Sequence, residues 1–438
     1  MTQIVQPSTL PGFMELLPKD QLVFNRMKDI IRKNYEEKGF LPIDTPVLEK
    51  EEVLLAKGGG ETEKQVYAFK KGSTDIAMRF DLTVPLARYV AQHYSDLSFP
   101  FRRYHIGKVY RGERAQKGRF REFYQCDIDI IGNGSLSLYN DGEIPSIIAK
   151  TFQDLGFEAF TIHMNNRRIL NGFYRALGVN DSQEVLRIVD KVDKIGVDSV
   201  KEELSKIGLS EDAVEKIAEF INISGTTDEV FAALDAMAIE DEEFKTGVSE
   251  LKEVFSIART LGVSDKHMIP DMKIARGLDY YTGTVYETIL DDYPAIGSVC
   301  SGGRYDNLAG HYTKQKLPGV GISIGLSRLY YQLNEACLLK SYDDAASQCL
   351  IIPFDETKEE GLRLLKTLRD EGIRCIFYGE SGKIGKKFKY ADHLNVAYAI
   401  VLGQAEVESK KPKLRNMKTG EEVAMSIEEI INFLKNEA

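Results

Sequence analysis

The 438-residue chain lacks most of the signatures that place a protein quickly. It has no run of about 18 apolar residues, so no membrane-spanning helix and no membrane partner are expected. The stretch Met1–Leu10 is polar, without a positively charged lead into an apolar core. No secretory signal is expected, and the chain is read as a soluble, cytoplasmic protein. The five cysteines, Cys126, Cys300, Cys337, Cys349 and Cys375, are odd in number and widely spaced. They form no Cys-x-x-Cys pair and no cluster with histidine at zinc spacing, which makes them reduced thiols and leaves no protein-ligated metal. The phosphate loop G-x-x-x-x-G-K-[ST] is missing, and GVGISIG at 319–325 does not fit the dinucleotide fingerprint. Any nucleotide must therefore be held by side chains. No nucleophile elbow, His-based triad, internal repeat or low-complexity tract is present.

Positive charge is also short overall, with a net charge of −10. The deficit is local: residues 181–260 hold 20 Asp/Glu against 9 Lys/Arg, a net of −11, so the remainder is near neutral. Within that remainder, residues 101–121 carry eight Lys/Arg against one acid, and Lys383, Lys386, Lys387 and Lys389 crowd seven positions. An anionic partner is compatible with such segregation.

Residues 19–38 space their apolar side chains as a helix, stop at Gly39 and lead into an extended run from Phe40 to Leu48. From Phe69 to Ile131 the pattern is strand-like, in IAMRF, YHIGKVY and EFYQCDIDII, with a short helix at Leu82 to His93 and a basic loop at 112–119. Neighbouring extended runs joined by a loop favour an antiparallel sheet. Long helical periodicities fill 166–263, after which strand signals return at Lys273 to Leu290 and Ile296 to Ser301, and the Gly-rich 319–325 runs into a helix at Leu326 to Asn334. Strands then alternate with amphipathic helices to the end. The reading is an α+β chain: a sheet-bearing part at 1–165, a helical insertion at 166–265, the resumed sheet at 266–335, a linker at 336–347 and a separate α/β domain at 348–438.

The segment from Tyr110 to Phe123 places two strands around a loop dense in guanidinium groups, which fork onto phosphate oxygens. An isolated hairpin of this kind is often only a solvated basic face. The strand leaving it speaks for more: alternation puts Phe123, Gln125, Asp127 and Asp129 on one face, a poor core but a serviceable pocket wall.

This segment resembles motif 2 of the class II aminoacyl-tRNA synthetases, and Tyr110-Arg111-Gly-Glu113-Arg114 through Gln125 resembles the histidyl branch. Arg276-Gly-Leu-Asp-Tyr280-Tyr281 and Ser301-Gly-Gly-Arg304-Tyr305-Asp306 resemble the histidine-specific motifs of that family. Gly319-Val-Gly321 through Arg328 resembles motif 3, and Gly39-Phe40-x-Pro42 through Pro46 resembles motif 1. The match spans residues 11–335, and the C-terminal α/β part resembles the family's anticodon-binding domain. The two sheet-bearing parts would then form an antiparallel-sheet catalytic domain. The resemblance implies that L-histidine is joined to tRNA(His) through a histidyl-adenylate, with ATP and its Mg2+ as substrate complex, AMP and pyrophosphate as products, and a homodimer built on motif 1.

It also implies roles. Arg111 and Arg328 would grip the phosphates of a bent ATP, with Phe123 on the adenine and Glu113 accepting a hydrogen bond from the nucleotide. Asp81, Leu82, Thr83 and Gln125 would hold the α-ammonium of histidine, although an Asp ahead of a helix is ordinarily an N-cap. Asp129 and Tyr281 would bind the two imidazole nitrogens, with Tyr280 and Tyr305 completing a pocket whose unpaired polar groups discriminate by about 10⁴ against the wrong substrate. Arg276 would bridge the amino-acid carboxylate and the α-phosphate, where other class II enzymes use a metal ion, and with Arg111 would carry catalysis. Gln116 and Arg121 would meet the acceptor end of the tRNA, and Lys383, Lys386 and Lys387 the anticodon stem. Ser327 departs from the pattern, since many relatives have an acid before the motif 3 arginine.

Two rivals share the resemblance. A synthetase-like regulatory subunit of ATP phosphoribosyltransferase would lose the C-terminal domain and erode the substrate arginines, whereas Arg111, Arg276 and Arg328 are all present here. A tRNA-binding protein without adenylation activity would not need an intact pocket.

Overall fold

A computed structural model describes residues 4–56, 61–113, 118–179, 182–274, 281–339 and 346–437. The chain divides into two compact units, Met1–Glu15 with Met27–Cys337 and Leu16–Arg26 with Leu338–Ala438. No helix among the described residues is long and apolar enough to cross a membrane.

The first unit contains β1 (Leu41–Pro42), β2 (Leu48–Lys50), β3 (Ala68–Lys71), β4 (Thr74–Met78), β5 (Phe101–Tyr110), β6 (Glu122–Ile131), β7 (Phe160–Asn166), β8 (Met268–Pro270), β9 (Thr284–Leu290), β10 (Cys300–Tyr305) and β11 (Gly319–Ile324). Eight of them form one sheet in the order β1-β5-β6-β11-β10-β9-β7-β8, antiparallel except at its two edges, and β2, β3 and β4 form a small second sheet. The antiparallel expectation holds. The extended run from Phe40 to Leu48 is corrected: only Leu41–Pro42 and Leu48–Lys50 pair as strands. Pro42 and Pro46 have no N–H to give a ladder, which confines the segment to an edge. Of the strand expected from Lys273 to Leu290, the described residues show Thr284–Leu290, and Pro294–Ile296 is a single helical turn ahead of β10.

The opening helix runs from Pro18 to Glu37, with proline at its first position and Gly39 in the left-handed conformation just past its end. The helix Thr83–Gln92 buries Leu86, Ala87 and Val90 against Phe101, Ile131 and Tyr305, which ties the sheet face to the core. The described residues of 166–263 are mainly helical, as expected, in Arg167–Ala176, Ser182–Val189, Val192–Lys206, Glu211–Ile221, Thr227–Ala236 and Glu242–Thr260. Part of the local acid excess has a structural cause. Glu211 and Asp212, Asp228 and Glu229, and Glu242 and Glu243 occupy first turns, where free amides and the helix dipole favour negative charge.

A helix with no clear amphipathic signal, Tyr139–Asp154, is buried almost all round. Its Asp141 is fully enclosed and forms an ion pair with Arg304 of β10, whose Nη2 also donates to the carbonyls of Leu136 at 3.1 Å and Ser137 at 3.3 Å. Arg304 thus holds the fold from within the SGGRYD segment.

The second unit is a five-stranded sheet of β12 (Cys349–Pro353), β13 (Cys375–Phe377), β14 (Tyr398–Leu402), β15 (Lys413–Asn416) and β16 (Glu422–Ala424), in the order β13-β12-β14-β15-β16. The helices Lys358–Asp370, Ile384–His393 and Ile427–Asn436 give the expected mixture of strands and helices. The helix Gln404–Ser409 and the three-residue β16 are additions too short to show a period.

Removing one partner of a buried ion pair leaves the other charge unpaired. Asp141→Ala is expected to lower the stability of the first unit by about 3–5 kcal/mol, read from the urea midpoint. An unchanged midpoint would show that Arg304 is not held this way.

Candidate active site

Register decides what the large sheet presents on one face. Pairing of β5, β6, β11, β10 and β9 aligns His105, Asp127, Ser323, Ser301 and Glu287 in one row across five strands. The next row is Arg103, Asp129, Gly321, Gly303 and Val285. The first row is a polar stripe and the second is hollowed by two glycines. A methyl group at Gly321 would collide with the Asp129 carboxylate, and one at Gly319 would lie 2.5 Å from the Tyr305 ring. Gly319 and Gly321 therefore make room for side chains.

Over this floor lie two cavities, of about 390 and about 290 Å³. The larger is lined by Asp81, Thr83, Gln125, Asp127, Asp129, Tyr281 and Tyr305, the smaller by Glu113, Arg119, Phe120 and Phe123. Arg111, Gln125, Ser323 and Arg328 line both. Arg111 is steered by its Nε, which donates to the Phe80 carbonyl at 3.0 Å, and its guanidinium lies 5.2 Å from the centroid of the Phe123 ring. Arg328 Nη2 donates to the Ile296 carbonyl at 2.7 Å. Ser327, the departure noted in the sequence, accepts from the Tyr124 amide at 2.9 Å and fastens the helix Leu326–Glu335 to β6.

Several acceptors in the larger cavity are buried and unused. Asp81 does act as a cap, its Oδ1 accepting from Val84 N at 3.1 Å, but Oδ2 makes no hydrogen bond. Gln125 donates to Ser323 Oγ at 2.9 Å, and its Oε1 has no partner, as is true of Asp127 Oδ1. Asp129 is better supplied: Oδ1 accepts from the Tyr305 hydroxyl at 2.7 Å and Oδ2 pairs with Arg103. Burial drives two of these carboxyls upward, Asp81 to about 6 and Asp127 to about 7, against the pull of Arg103 and, at Asp81, of the Val84 amide and Arg111. Asp129 is raised by burial too, opposed first by Arg103 and then by Tyr305. Such a site favours a cationic ligand group, which would supply the donors these acceptors lack.

The profile of the family described as histidyl-tRNA synthetase matches residues 12–329, and that of the anticodon binding domain matches residues 348–437. The chain belongs to the histidyl-tRNA synthetase family. Among its relatives, the histidine–tRNA ligase of Clostridium tetani is 60% identical over 434 residues, 99% of each chain. That of Finegoldia magna is 51% identical over 432 residues, covering 99% of this chain and 100% of the relative. The crystal structure of histidyl-tRNA synthetase from Nostoc sp. superposes with a TM-score of 0.92 at 39% identity, over 99% of this chain and 100% of that one. A Bacillus halodurans protein described as an ATP phosphoribosyltransferase regulatory subunit/histidyl-tRNA synthetase shares the fold, with a TM-score of 0.75 at 20% identity.

Within this family framework the residues named from sequence divide as follows. Asp81, Thr83, Arg111, Gln125, Asp129, Tyr281, Tyr305 and Arg328 meet around the larger cavity, and Glu113 and Phe123 around the smaller. Arg276, Tyr280 and Gln116 lie outside the described residues. Leu82 is corrected: its side chain is fully buried and does not line the cavity, and its carbonyl accepts from Arg103 at 3.4 Å. Lys387 is also corrected as a tRNA contact. It is buried, donates from Nζ to the Pro353 carbonyl at 2.6 Å and lies over the Tyr378 ring, because the inward face of the helix Ile384–His393 encloses its stem. Lys383 and Lys386 are exposed. Arg121 lines neither cavity; its Nε donates to the Glu113 carbonyl at 2.9 Å and braces the loop. Sequence reasoning gave no place in the site to Arg103, Ser323 or Glu287. Asp127 it put on the pocket wall, on the face shared by Gln125 and Asp129, without a role.

A carboxyl raised by the fold stabilises the folded state as the neutral acid. For Asp127 that contribution is complete below the ordinary value of 3.8 and is lost as pH rises through about 7. Asp127→Asn is therefore expected to stabilise the ligand-free protein by about 1–3 kcal/mol at pH 8 and by much less at pH 5, as read from urea midpoints. An equal effect at both pH values would contradict a raised Asp127.

Proposed function

We infer that this chain is a histidine–tRNA ligase: it activates L-histidine with ATP, forms histidyl-adenylate and pyrophosphate, and transfers the histidyl group to the terminal ribose of tRNA(His), releasing AMP. The observation that carries this is the pair of confluent cavities sharing Arg111 and Arg328, one lined by unused acceptors and the other by an aromatic ring. Amino acid and nucleotide meet at the two arginines, where the new bond forms.

In this reading, Asp81 Oδ2 and Gln125 Oε1, with Thr83 beside them, receive the α-ammonium. Asp127 Oδ1 offers a third acceptor for its third N–H. Asp129, Tyr305 and Tyr281 surround the imidazole, with Tyr280 in the role its motif implies. Phe123 takes the adenine against the ring face away from Arg111, and Glu113 accepts from the nucleotide. Magnesium enters as the counter-ion of the ATP phosphates, beside the arginine clamp.

Activation then needs no protein nucleophile. A carboxylate oxygen of histidine attacks the α-phosphorus, the bond to the bridging oxygen of pyrophosphate breaks, and the leaving group carries the electron pair away. Arg111, with Arg276 in the role its motif implies, opposes the charge growing on the α-phosphoryl oxygens. In the second step a ribose hydroxyl attacks the acyl carbon and AMP leaves. Most of the rate comes from holding reactants in line in a site whose charges are already placed.

Gln116 and Arg121 belong to the loop expected at the acceptor end, and Lys383 and Lys386 to the face expected at the anticodon stem. The enzyme acts as a homodimer in the cytoplasm. The regulatory-subunit reading gains no support from the site, since both phosphate-facing arginines of the described residues line it.

Histidine-dependent ATP–pyrophosphate exchange by the purified protein is the test. Wild type is expected to exchange with histidine alone among the amino acids, and Arg111→Ala to lose about 10²–10³ in rate. A folded wild type that does not exchange would favour the regulatory reading.

A further inference from the structure

We propose that Arg103 is the positioning residue behind histidine selectivity: from beneath the pocket floor it holds the Asp129 carboxylate in the one orientation that, with the Tyr305 hydroxyl, reads the imidazole ring. The proposal rests on the histidine site inferred above and adds a residue to it. Arg103 is fully buried, stands directly opposite Asp129 in the β5–β6 register and pairs with its Oδ2. Nη2 also reaches the Leu82 carbonyl at 3.4 Å, on the turn that carries Asp81. The guanidinium is not part of the cavity lining, so it acts through Asp129.

The alternative is that the pair serves stability alone, and the hydrogen bonding argues against that. Arg103 Nε and Nη1 make no hydrogen bond among the described residues, so a whole guanidinium is desolvated for a single carboxylate and one long carbonyl contact. Buried pairs of this kind are often replaced by apolar side chains without loss of stability. What an apolar pair cannot do is present an ionised acceptor of fixed orientation. With Arg103 on Oδ2 and Tyr305 on Oδ1, each oxygen keeps one acceptor direction for a ring N–H.

The charges around Asp129 make Arg103 decisive. Tyr305 faces it from β10, Asp81 from the turn before the helix Thr83–Gln92 and Asp127 from its own strand, while β11 offers only Gly321. Burial drives Asp129 toward the neutral acid, and Arg103 is the first force opposing it. Without that cation the carboxyl takes a proton at higher pH and turns from acceptor to donor.

Histidine affinity by calorimetry, with histidine-dependent exchange alongside, tests this on wild type, Arg103→Met, Arg103→Lys and the double variant Arg103→Met/Asp129→Asn. Arg103→Met is expected to weaken histidine binding about 10- to 100-fold, while the KM for ATP moves by about twofold or less. The loss should deepen between pH 8 and pH 6 relative to wild type, because Asp129 is protonated as pH falls, and Arg103→Lys should recover part of it. The double variant, which leaves no unpaired buried charge, should keep its ATP KM, bind histidine weakly and lack the added pH dependence. Unchanged histidine affinity in Arg103→Met, equal loss toward histidine and ATP, or wild-type histidine affinity in the double variant would each overturn the proposal. A wild type that binds histidine without exchange refutes the ligase reading and leaves the affinity series to judge Arg103. A wild type that binds no histidine refutes both.

Discussion

Arg103 and Asp129 face each other across adjacent antiparallel strands with almost no access to water. Each charge is costly there alone, and the surrounding structure is consistent with their being enclosed together. Tyr305 comes from β10 to bond Asp129, Leu82 turns its carbonyl toward Arg103, and Gly321 leaves the space that the carboxylate occupies. Strand pairing sets this geometry, since a slip of one residue would move every one of these side chains to the opposite face.

From this row the rest of the site follows by register. One step along the strands lies the stripe of His105, Asp127, Ser323, Ser301 and Glu287, and beyond it Gln125. His105 is driven down to about 3, mainly by burial and then by Arg103 and Arg79, which outweigh the Asp44 carboxylate 2.9 Å from its Nε2. The cavity floor therefore holds more carboxyls than buried cations, and it stores a preference for a cationic group. Where the floor meets Arg111 and Arg328 the balance reverses and anionic groups are favoured. In the proposed function, amino acid and nucleotide are thereby sorted by charge along one sheet face.

Much of this was legible in the residues. The runs that became β5 and β6 are rich in aromatic and β-branched residues, the helix Pro18–Glu37 has its proline and glycine at the right ends, and the helical spacing across 166–263 resolves into six helices among the described residues. Alternation along β6 puts Phe123, Gln125, Asp127 and Asp129 on a common wall. Arg103 was hidden because a single strand shows which face a side chain takes and not which strand lies opposite. An arginine in FRRYHIGKVY reads as solvated unless its partner is known. Lys387 misled for the converse reason: a lysine in a basic run looks exposed, yet its stem is enclosed and its Nζ ends on a carbonyl. Phe40 to Leu48 failed as a continuous strand because its prolines cannot donate, a constraint that was visible in the sequence.

The central claim is that this geometry charges tRNA with histidine and with no other amino acid. The most direct measurement is transfer of labelled amino acids, one at a time, onto a tRNA(His) transcript by the purified full-length chain with ATP and magnesium. The account predicts that histidine alone becomes esterified to the transcript and that AMP accumulates with it. Transfer of a different amino acid, or none despite tight binding of the transcript, would contradict it.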